Sequence, residues 1–368
     1  MLIAAERLWT GGALVPDLAI ESDGTRVTAL RPLGRDRADL HVPLLMPGCT
    51  DLQVNGGGGV LFNADPTPAG IKAIAAAHHR LGTAQILPTV ITDAPEVMQA
   101  AAEAVIAAMA TPGDHPGIAG IHIEGPHLAP ERRGTHDARF IRPLDARTMA
   151  VLGRLRAAGV PVLLTLAPEL ADPALLRQAA ALGVVLSAGH TMATAAETRA
   201  AMADGVSMFT HLYNAMPQMT SRAPGVIAAA ILSEGWCGLI ADGIHVAPEM
   251  LALAMAARPR PDRCFLVSDA MPTVGGPDRF TLYGMDIQVR DGALVNAQGS
   301  LAGAHIDMLE SLRRLVAMTG VTLERAIAMA TDLPRQAMRL PALQVAPGTA
   351  LRDLLALDAD LHRQELPA

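Results

Sequence analysis

The stretch VLLTLAPELADPALLRQAAALGVVLSAGH, residues 162–190, decides the fold. It contains an apolar run at 162–166, an Ala- and Leu-rich helical pattern at 173–182 and a second apolar run at 184–188. Short apolar runs bounded by turn residues are typical of buried strands. A strand, a helix and a strand in this order predict two parallel strands joined by a helical crossover.

The same alternation continues along most of the chain. Candidate strands lie at 45–52, 85–90, 118–123, 162–166, 184–188, 207–211, 237–241 and 264–268. Helical patterns lie between them, for example at 68–81, 95–109, 145–158, 173–182 and 193–204. Eight such units over about 225 residues match the size of a (β/α)8 barrel. We therefore expect an α/β protein built on a TIM-like barrel.

The two ends of the chain have a different pattern. Residues 1–44 contain short strands with turns, and residues 345–361 contain one or two strands that return to them. A second β-like patch follows the eighth strand, with a hairpin signal at Asp291-Gly292. The expected domains are a small β-sandwich-type domain from residues 1–44 plus 341–368, and a barrel domain from 45–340 with a β-hairpin insertion near 280–300.

The composition excludes several classes of protein. Hydrophobic residues make up 51% and charged residues 18%, which is a globular composition, and a net charge of −7 gives no basic footprint for nucleic acid. No uninterrupted apolar stretch reaches the length of a membrane span, and Glu6 and Arg7 stand where a signal peptide needs its apolar run. Cys49, Cys237 and Cys264 have no spacing typical of a disulfide framework or a thiolate zinc site. The sequence thus predicts a cytoplasmic protein that binds neither nucleic acid nor membranes.

Ionisable and amide side chains stand at the carboxyl ends of the predicted strands. In chain order they include Asp51, Gln53, Asn55, Glu124, His190, His211, Asn214, Asp242, His245 and Asp269. The carboxyl ends of barrel strands converge on one face, where the active sites of such barrels lie. We therefore expect Glu124, His190 and His211 to face one another across the mouth of the barrel.

One carboxylate and two imidazoles with an open fourth position make a catalytic metal site. A single His at a strand end is more often a structural residue, but three such groups at equivalent strand ends favour a metal. A bound cation lowers the pKa of its water and polarises a carbonyl, and Asp269 is the natural proton acceptor for that water. Zn²⁺ is the expected ion, and Fe²⁺, Mn²⁺ or Co²⁺ also suit this ligand set.

Other polar features have plainer interpretations. His122 lies two residues before Glu124 on the same strand face, where it either supports the site from a deeper layer or simply packs. The glycines at 56–59 lack the Lys-Ser/Thr of a phosphate loop, so a flexible turn is favoured. His127 and His305 have no informative spacing and are expected in surface or loop positions.

Several segments resemble the amidohydrolase superfamily, and in detail the family that deacetylates N-acetylglucosamine 6-phosphate. They are PGCTDLQVNGGGGVLFN, GIHIEGPHLAPERRGTHD, SAGHT, FTHLYNAMP with the following SRAPG, ADGIHV, LVSDAMP and GSLAG, in family order from residue 47 to 303. The resemblance implies that Glu124, His190 and His211 are metal ligands and that Asp269 is the catalytic acid and base. It also implies that His136 helps the metal to polarise the acetyl carbonyl.

The resemblance implies a substrate site and an assembly as well. Arg222 and His245 are expected to bind the phosphate, and Arg222 to do so in the active site of the neighbouring subunit, which implies a homodimer. The residues expected to line the sugar pocket are Thr135, Asn214, Ala215 and Ala302.

This chain departs from the broad superfamily on the first strand. Many members have His-x-His there as ligands for a second metal, whereas this chain has Gln53 and Asn55. Neutral amides are poor substitutes for imidazole, so these residues mark a vestigial second-metal position and one metal is expected per site. The C-terminal end is also shorter than is common in the family.

Three alternatives to N-acetylglucosamine 6-phosphate deacetylation remain. The substrate could be N-acetylgalactosamine 6-phosphate or another phosphorylated N-acetyl amino sugar, because the sequence does not reveal the pocket's shape. A cyclic-amide hydrolase or a deaminase would need no phosphate anchor such as Arg222. A catalytically inactive binding protein would be favoured by loss of a metal ligand or of Asp269, and all of them are present.

Overall fold

A computed structural model of the chain describes residues 1–110 and 117–366. The last two residues of the predicted small domain, 367–368, lie outside that part. The chain begins with four strands, β1 (Leu2–Trp9), β2 (Leu14–Ser22), β3 (Val27–Pro32) and β4 (Leu40–Pro47). No helix among the described residues is long and apolar enough to cross a membrane.

The centre of the described chain is an eight-stranded parallel sheet. In chain order, its strands and a short hairpin are β5 (Cys49–Val54), the hairpin β6 (Gly56–Gly57) and β7 (Val60–Leu61), then β8 (Thr83–Ile91), β9 (Ile121–Glu124), β10 (Val162–Leu166), β11 (Val185–Ala188), β12 (Val206–Phe209), β13 (Trp236–Leu239) and β14 (Cys264–Leu266). Neighbours in the sheet follow chain order from β5, through β8, to β14. The predicted α/β barrel is therefore confirmed.

The first and last strands of the barrel meet through both backbone and side chains. A parallel bridge joins Val54 to Ala270. Below it, the buried carboxylate of Asp51 accepts hydrogen bonds from the hydroxyl and the backbone N–H of Ser268. These contacts place the loops after β5 and β14 side by side, which brings Gln53, Asn55 and Asp269 together.

Helices connect the barrel strands as the sequence predicted. Those between β7 and β14 are α1 (Pro68–Arg80), α2 (Pro95–Met109), α3 (Ala146–Ala157), α4 (Pro173–Ala181), α5 (Ala195–Ala203), α6 (Gly225–Ile231) and α7 (Pro248–Ala256). Proline opens α1, α2, α4 and α7, where its missing N–H has no partner to lose. Thr194 and Glu197 form a reciprocal capping box at the start of α5.

The first predicted strand, at 45–52, covers the end of β4 and the beginning of β5, which are separate strands in the structure. The break between β4 and β5 falls at Gly48, whose N–H donates to the carbonyl of Asp353 (2.8 Å). A Cβ at Gly48 would lie 2.6 Å from the Cβ of Ala84, so only glycine lets the chain pass here from one sheet to the next.

The predicted hairpin near 280–300 is a four-stranded antiparallel sheet. Its strands are β15 (Arg279–Leu282), β16 (Met285–Arg290), β17 (Ala293–Val295) and β18 (Leu301–Ala304). Asp291 and Gly292 both have positive φ, as the expected tight turn requires, and Tyr283 and Gly284 form a second turn of this kind. This second turn, between β15 and β16, was not predicted, although both strands lie within the predicted β-like patch.

The chain ends with α8 (Met308–Thr319), α9 (Leu323–Ala330), α10 (Asp332–Ala337), β19 (Leu354–Leu357) and β20 (Arg363–Gln364). Strand β19 pairs antiparallel with β4, so both chain ends join one six-stranded sheet, β20-β19-β4-β1-β2-β3. Leu44 and Met46 of β4 pack with the barrel core, whereas Leu45 belongs to a separate cluster. This alternation gives the sheet two apolar faces. The domain boundaries at residues 44 and 341 stay a prediction, and β4 crosses the first of them.

The six-stranded sheet is tied to the barrel by a buried hydrogen bond. The indole N–H of Trp9, in β1, donates to the carboxylate of Asp332 at the start of α10 (2.7 Å). The hydroxyl of Thr331 donates to the same oxygen (3.0 Å). Trp9 and Asp332 are 2% and 9% exposed, so water cannot readily replace the indole.

We expect Trp9→Phe to lower the free energy of unfolding by about 1–3 kcal/mol, because a buried carboxylate oxygen loses a donor. Urea unfolding followed by circular dichroism measures this change. Trp236→Phe is the matched control, since Trp236 makes no contact with Asp332. Equal stability of the two variants would contradict the role given to this bond.

Candidate active site

A cavity of about 230 Å³ lies at the carboxyl ends of the barrel strands. The residues lining it are Asn55, Ile91, Glu124, Gly134, Thr135, His136, His190, His211, Asn214, Ala215, His245, Asp269, Met271, Leu301 and Gly303. Larger cavities of about 670 and 500 Å³ lie near β20 and between α2 and α3, and none of these residues lines them. The smaller cavity is the candidate active site because the ionisable groups converge there.

Glu124, His190 and His211 meet at one point of this cavity, as predicted. The Oε1 atom of Glu124 lies 3.2 Å from the Nε2 atom of His190 and 3.1 Å from that of His211, and the two Nε2 atoms are 3.1 Å apart. The Nδ1–H of His190 donates to the carbonyl of Arg132 (2.7 Å), which leaves its Nε2 lone pair facing the cluster. The cluster therefore presents electron-rich atoms to a common centre.

These separations fit a divalent cation. Ligand atoms about 2.0 Å from a tetrahedral ion lie about 3.3 Å from one another. All three residues are at most 5% exposed, so the cluster is shielded from solvent. Burial raises the pKa of Glu124, but the two imidazoles beside it outweigh this and hold the pKa well below the usual value. An ionised carboxylate with two imidazoles is a donor set typical of catalytic metal sites.

Asp269 lies beside this cluster and is held by two amides. The side-chain N–H groups of Asn55 (2.7 Å) and Gln53 (3.0 Å) both donate to its Oδ1 atom. Gln53 also donates to the carboxylate of Glu124 (3.2 Å). No described residue donates to Oδ2 of Asp269, so that oxygen is available to exchange a proton. Burial and the neighbouring charge of Glu124 raise the pKa of Asp269 to about 6.

The backbone is strained at these functional positions. His190, His211 and Asp269 have φ values of 50°, 28° and 52°, in the left-handed region that non-glycine residues rarely adopt. The surrounding contacts hold this conformation; for example, the carbonyl of Asp269 accepts the N–H of Ala304 in β18 (2.9 Å). Such strain is concentrated at functional sites, where it sets the direction of the side chains.

His136 lines the same cavity, next to His190. Their ring centroids are 4.5 Å apart. Burial and the neighbouring imidazole of His190 lower the pKa of His136 to about 3, so its ring is neutral at physiological pH. Its Nδ1 atom lies 2.8 Å from the hydroxyl of Thr92. A neutral imidazole beside the metal cluster can donate a hydrogen bond to a carbonyl oxygen.

The residues expected to bind the substrate divide into two groups. Thr135, Asn214, Ala215 and His245 line the cavity. Ala302 is buried, and it is its neighbours Leu301 and Gly303 that line the wall. Arg222 is exposed and lies outside the cavity, in the segment before α6.

His245 is held by Asp242, and both residues lie in the loop that follows β13. The Nδ1 atom of His245 lies 2.5 Å from the carboxylate of Asp242, which also accepts the N–H of Ile244 (2.8 Å). Burial raises the pKa of Asp242, but the hydrogen bonds from His245 and the backbone outweigh this and lower it. The bond leaves the opposite ring nitrogen of His245 free to face the cavity.

A buried polar layer lies beneath the metal cluster. His122 contacts the hydroxyl of Thr165 (2.8 Å), which contacts that of Thr210 (2.6 Å). Burial lowers the pKa of His122 to about 4, so a neutral ring supports the floor of the site. The expectation of a surface or loop position for His127 is wrong in one respect: its ring is buried between the carbonyl of Arg142 and the hydroxyl of Thr148.

The sequence analysis did not single out Thr92, Ile91 or Met271, although all three lie at or beside the cavity. Ile91 and Thr92 mark the carboxyl end of the second barrel strand, and Met271 follows the eighth. The strand-end rule that selected Glu124 would have selected Thr92 as well. A threonine hydroxyl has no charge and is common at strand ends, so the sequence alone does not indicate a role for Thr92.

Residues 44–350 match the amidohydrolase family. The chain belongs to this family. Amidohydrolases are metal-dependent hydrolases, which agrees with the cluster of Glu124, His190 and His211. A Shewanella relative named N-acetylgalactosamine-6-phosphate deacetylase is 39% identical over 98% of this chain and 93% of its own length. The human N-acetylglucosamine-6-phosphate deacetylase is 33% identical over 91% of this chain and 84% of its own.

Solved structures of such amidohydrolases share the whole fold. The N-acetylglucosamine-6-phosphate deacetylase of Pasteurella multocida superposes with a TM-score of 0.89 at 29% identity, covering 99% of this chain and 97% of its own. A variant of the Mycobacterium smegmatis enzyme, in complex with N-acetyl-D-glucosamine-6-phosphate, gives 0.88 at 32% identity, covering 99% and 96%. The barrel and the six-stranded sheet are therefore both part of the shared architecture.

Replacing His211 with Ala removes one of the three ligand atoms, and we expect the affinity for a divalent metal to fall by about 100-fold or more. Competition with a chromophoric chelator measures this affinity directly. His305→Ala is the control, because His305 contacts Thr273 and does not line the cavity. Unchanged affinity in His211→Ala would show that the metal binds elsewhere.

Proposed function

We propose that this amidohydrolase removes the acetyl group from N-acetyl-D-glucosamine 6-phosphate, giving D-glucosamine 6-phosphate and acetate. The observation that carries the proposal is the buried Glu-His-His cluster in the cavity at the barrel mouth, beside Asp269, a carboxylate whose pKa of about 6 suits proton transfer. Relatives with this activity in their names match nearly the full length of the chain.

One divalent cation per active site is part of this proposal, with Glu124, His190 and His211 as its ligands and Zn²⁺ as the preferred ion. When bound, such a cation polarises the acetyl carbonyl and lowers the pKa of water. Gln53 and Asn55 argue against a second ion, because both direct amide N–H groups at the carboxylates there. A cation in that space would meet donors instead of lone pairs.

Two side chains assist the proposed reaction: one transfers a proton, and the other stabilises the negative charge that develops. Asp269 accepts a proton from the attacking water through its free Oδ2 and then delivers it to the departing amine. His136 donates a hydrogen bond to the oxygen of the acetyl carbonyl as negative charge develops there. The C–N amide bond breaks, and acetate and the free amino sugar leave.

The phosphate end of the substrate is proposed to determine its position. His245 binds the phosphate in its own subunit, and Thr135, Asn214, Ala215 and the backbone at Ala302 contact the sugar. Arg222 is exposed and outside its own cavity, which supports a homodimer in which it binds the phosphate in the neighbouring subunit. We place the enzyme in the cytoplasm, because a doubly charged sugar phosphate does not cross a membrane unaided.

A second candidate substrate is N-acetylgalactosamine 6-phosphate, the epimer at the 4-hydroxyl. The Shewanella relative, 39% identical to this chain, carries this activity in its name, whereas the human relative carries the gluco activity. The reaction and the residue roles would be the same for both epimers. Only the contacts to one hydroxyl group would differ.

The test is acetate release from N-acetylglucosamine 6-phosphate, its galacto epimer and the unphosphorylated sugar, before and after metal removal. We expect the phosphorylated gluco substrate to be preferred, and one equivalent of metal to restore activity. Asp269→Asn should keep its metal and lose turnover by about 100-fold or more. Preference for the galacto epimer would support the second candidate. Near-normal turnover of Asp269→Asn, or no turnover of any substrate, would overturn the proposal.

Mixing inactive subunits tests the proposed position of Arg222. Arg222→Ala and Asp269→Asn subunits should each be nearly inactive, but a mixed dimer has one complete site. Co-expression should therefore restore about a quarter of wild-type activity in the unselected mixture, since half of the dimers are mixed and one of their two sites is complete. Mixed dimers isolated with two affinity tags should have about half of wild-type activity. A mixture without restored activity would contradict the sharing of Arg222 between subunits.

A further inference from the structure

Thr92 lies directly after β8 and is only 1% exposed. Its side-chain hydroxyl is 2.8 Å from Nδ1 of His136, and its backbone N–H donates to the same nitrogen at 3.4 Å. The hydroxyl is also 3.5 Å from the backbone carbonyl of Glu124. One residue thus contacts His136 twice and the strand end of Glu124 once.

The backbone N–H of Thr92 decides the tautomer of His136. A hydroxyl can donate or accept, so the Oγ1 contact alone fits either tautomer. A backbone N–H only donates, and it would face a second donor if Nδ1 of His136 carried the proton. Nδ1 is therefore the acceptor, and the proton of the neutral ring is on Nε2.

The Nε2–H of His136 is directed away from Thr92, on the side of the ring that borders the cavity. No described residue accepts a hydrogen bond from it, and His136 lines the cavity next to Glu124 and His190. A donor held in this way costs no rearrangement when a carbonyl oxygen next to it gains negative charge.

We propose that Thr92 is a positioning residue that fixes the ring direction and the Nε2–H tautomer of His136. This inference rests on the proposed deacetylation for its effect on turnover, but the tautomer itself is independent of the substrate. In the opposite tautomer, Nε2 of His136 would present a lone pair to the carbonyl oxygen. The ring would then repel the charge that it is required to stabilise.

The position of Thr92 is in turn fixed by the inserted sheet. The phenol of Tyr283, in the turn between β15 and β16, donates a hydrogen bond to the backbone carbonyl of Thr92. Tyr283 has a φ of 50°, and this conformation belongs to the tight turn that the sequence pattern did not predict. The four-stranded insertion thus contacts the active site through Thr92.

The first arm of the test compares Thr92→Val with Thr92→Ser. Valine keeps the shape and removes the hydroxyl, so we expect kcat to fall about 10- to 100-fold with KM within about twofold, while serine retains most activity. Thr148→Val is the matched control, since it also removes a buried hydroxyl from a histidine, His127, outside the cavity. Tyr283→Phe should lower kcat by a smaller factor, because the Thr92 side chain is still present.

The second arm needs no substrate. Long-range ¹H–¹⁵N spectra of the zinc-loaded, ¹⁵N-histidine-labelled protein report which ring nitrogen carries the proton, and His136→Gln assigns the signals. We expect the Nε2–H form in the wild type and in Thr92→Ser, and a mixture with the Nδ1–H form in Thr92→Val. A wild-type Nδ1–H form, or Thr92→Val with normal kcat and tautomer, would overturn the proposal. If the spectra show the expected change of tautomer in Thr92→Val but the wild type deacetylates no substrate, the result would count against the proposed function alone.

Discussion

The buried carboxylate of Glu124 is the constraint on which the rest of the site depends. A charged group at 2% exposure is costly unless other groups compensate for its lost hydration. Here two imidazoles and one amide surround it, and each is itself held by the barrel. The carbonyl of Arg132 orients His190, and strand β5 orients Gln53. The parallel barrel provides this arrangement because it brings the ends of distant strands to one point.

The amide side chains of Gln53, in β5, and of Asn55, directly after it, hold Asp269 in place. Gln53 and Asn55 stand at the position that the sequence analysis predicted to be a vestigial second-metal site, and both side chains make hydrogen bonds there. Their N–H groups converge on Oδ1 of Asp269, which fixes that carboxylate and leaves its other oxygen free. The orientation of Asp269 thus depends on hydrogen bonds from two neutral amides.

Much of the fold was predictable because it depends on patterns that are local in the sequence. Every barrel strand and the helices between them follow from apolar periodicity, and Glu124, His190, His211 and Asp269 follow from their place at strand ends. The break at Gly48 was not predictable, since its cause is the close approach of Ala84 from another strand. Thr92 also stands at a strand end, but its contact with His136, 44 residues further along the chain, is visible only in the folded structure.

The left-handed backbone at His190, His211 and Asp269 has an evolutionary consequence. Each such position costs about 1–3 kcal/mol of folding free energy, which glycine would not lose. Selection for heat resistance alone would therefore favour glycine at three positions to which the proposed function assigns metal binding and proton transfer. The same three residues therefore lower the stability of the fold while they provide the polar groups of the candidate site. A more robust descendant of this protein would have to gain its stability elsewhere, for example in the contacts between the six-stranded sheet and the barrel.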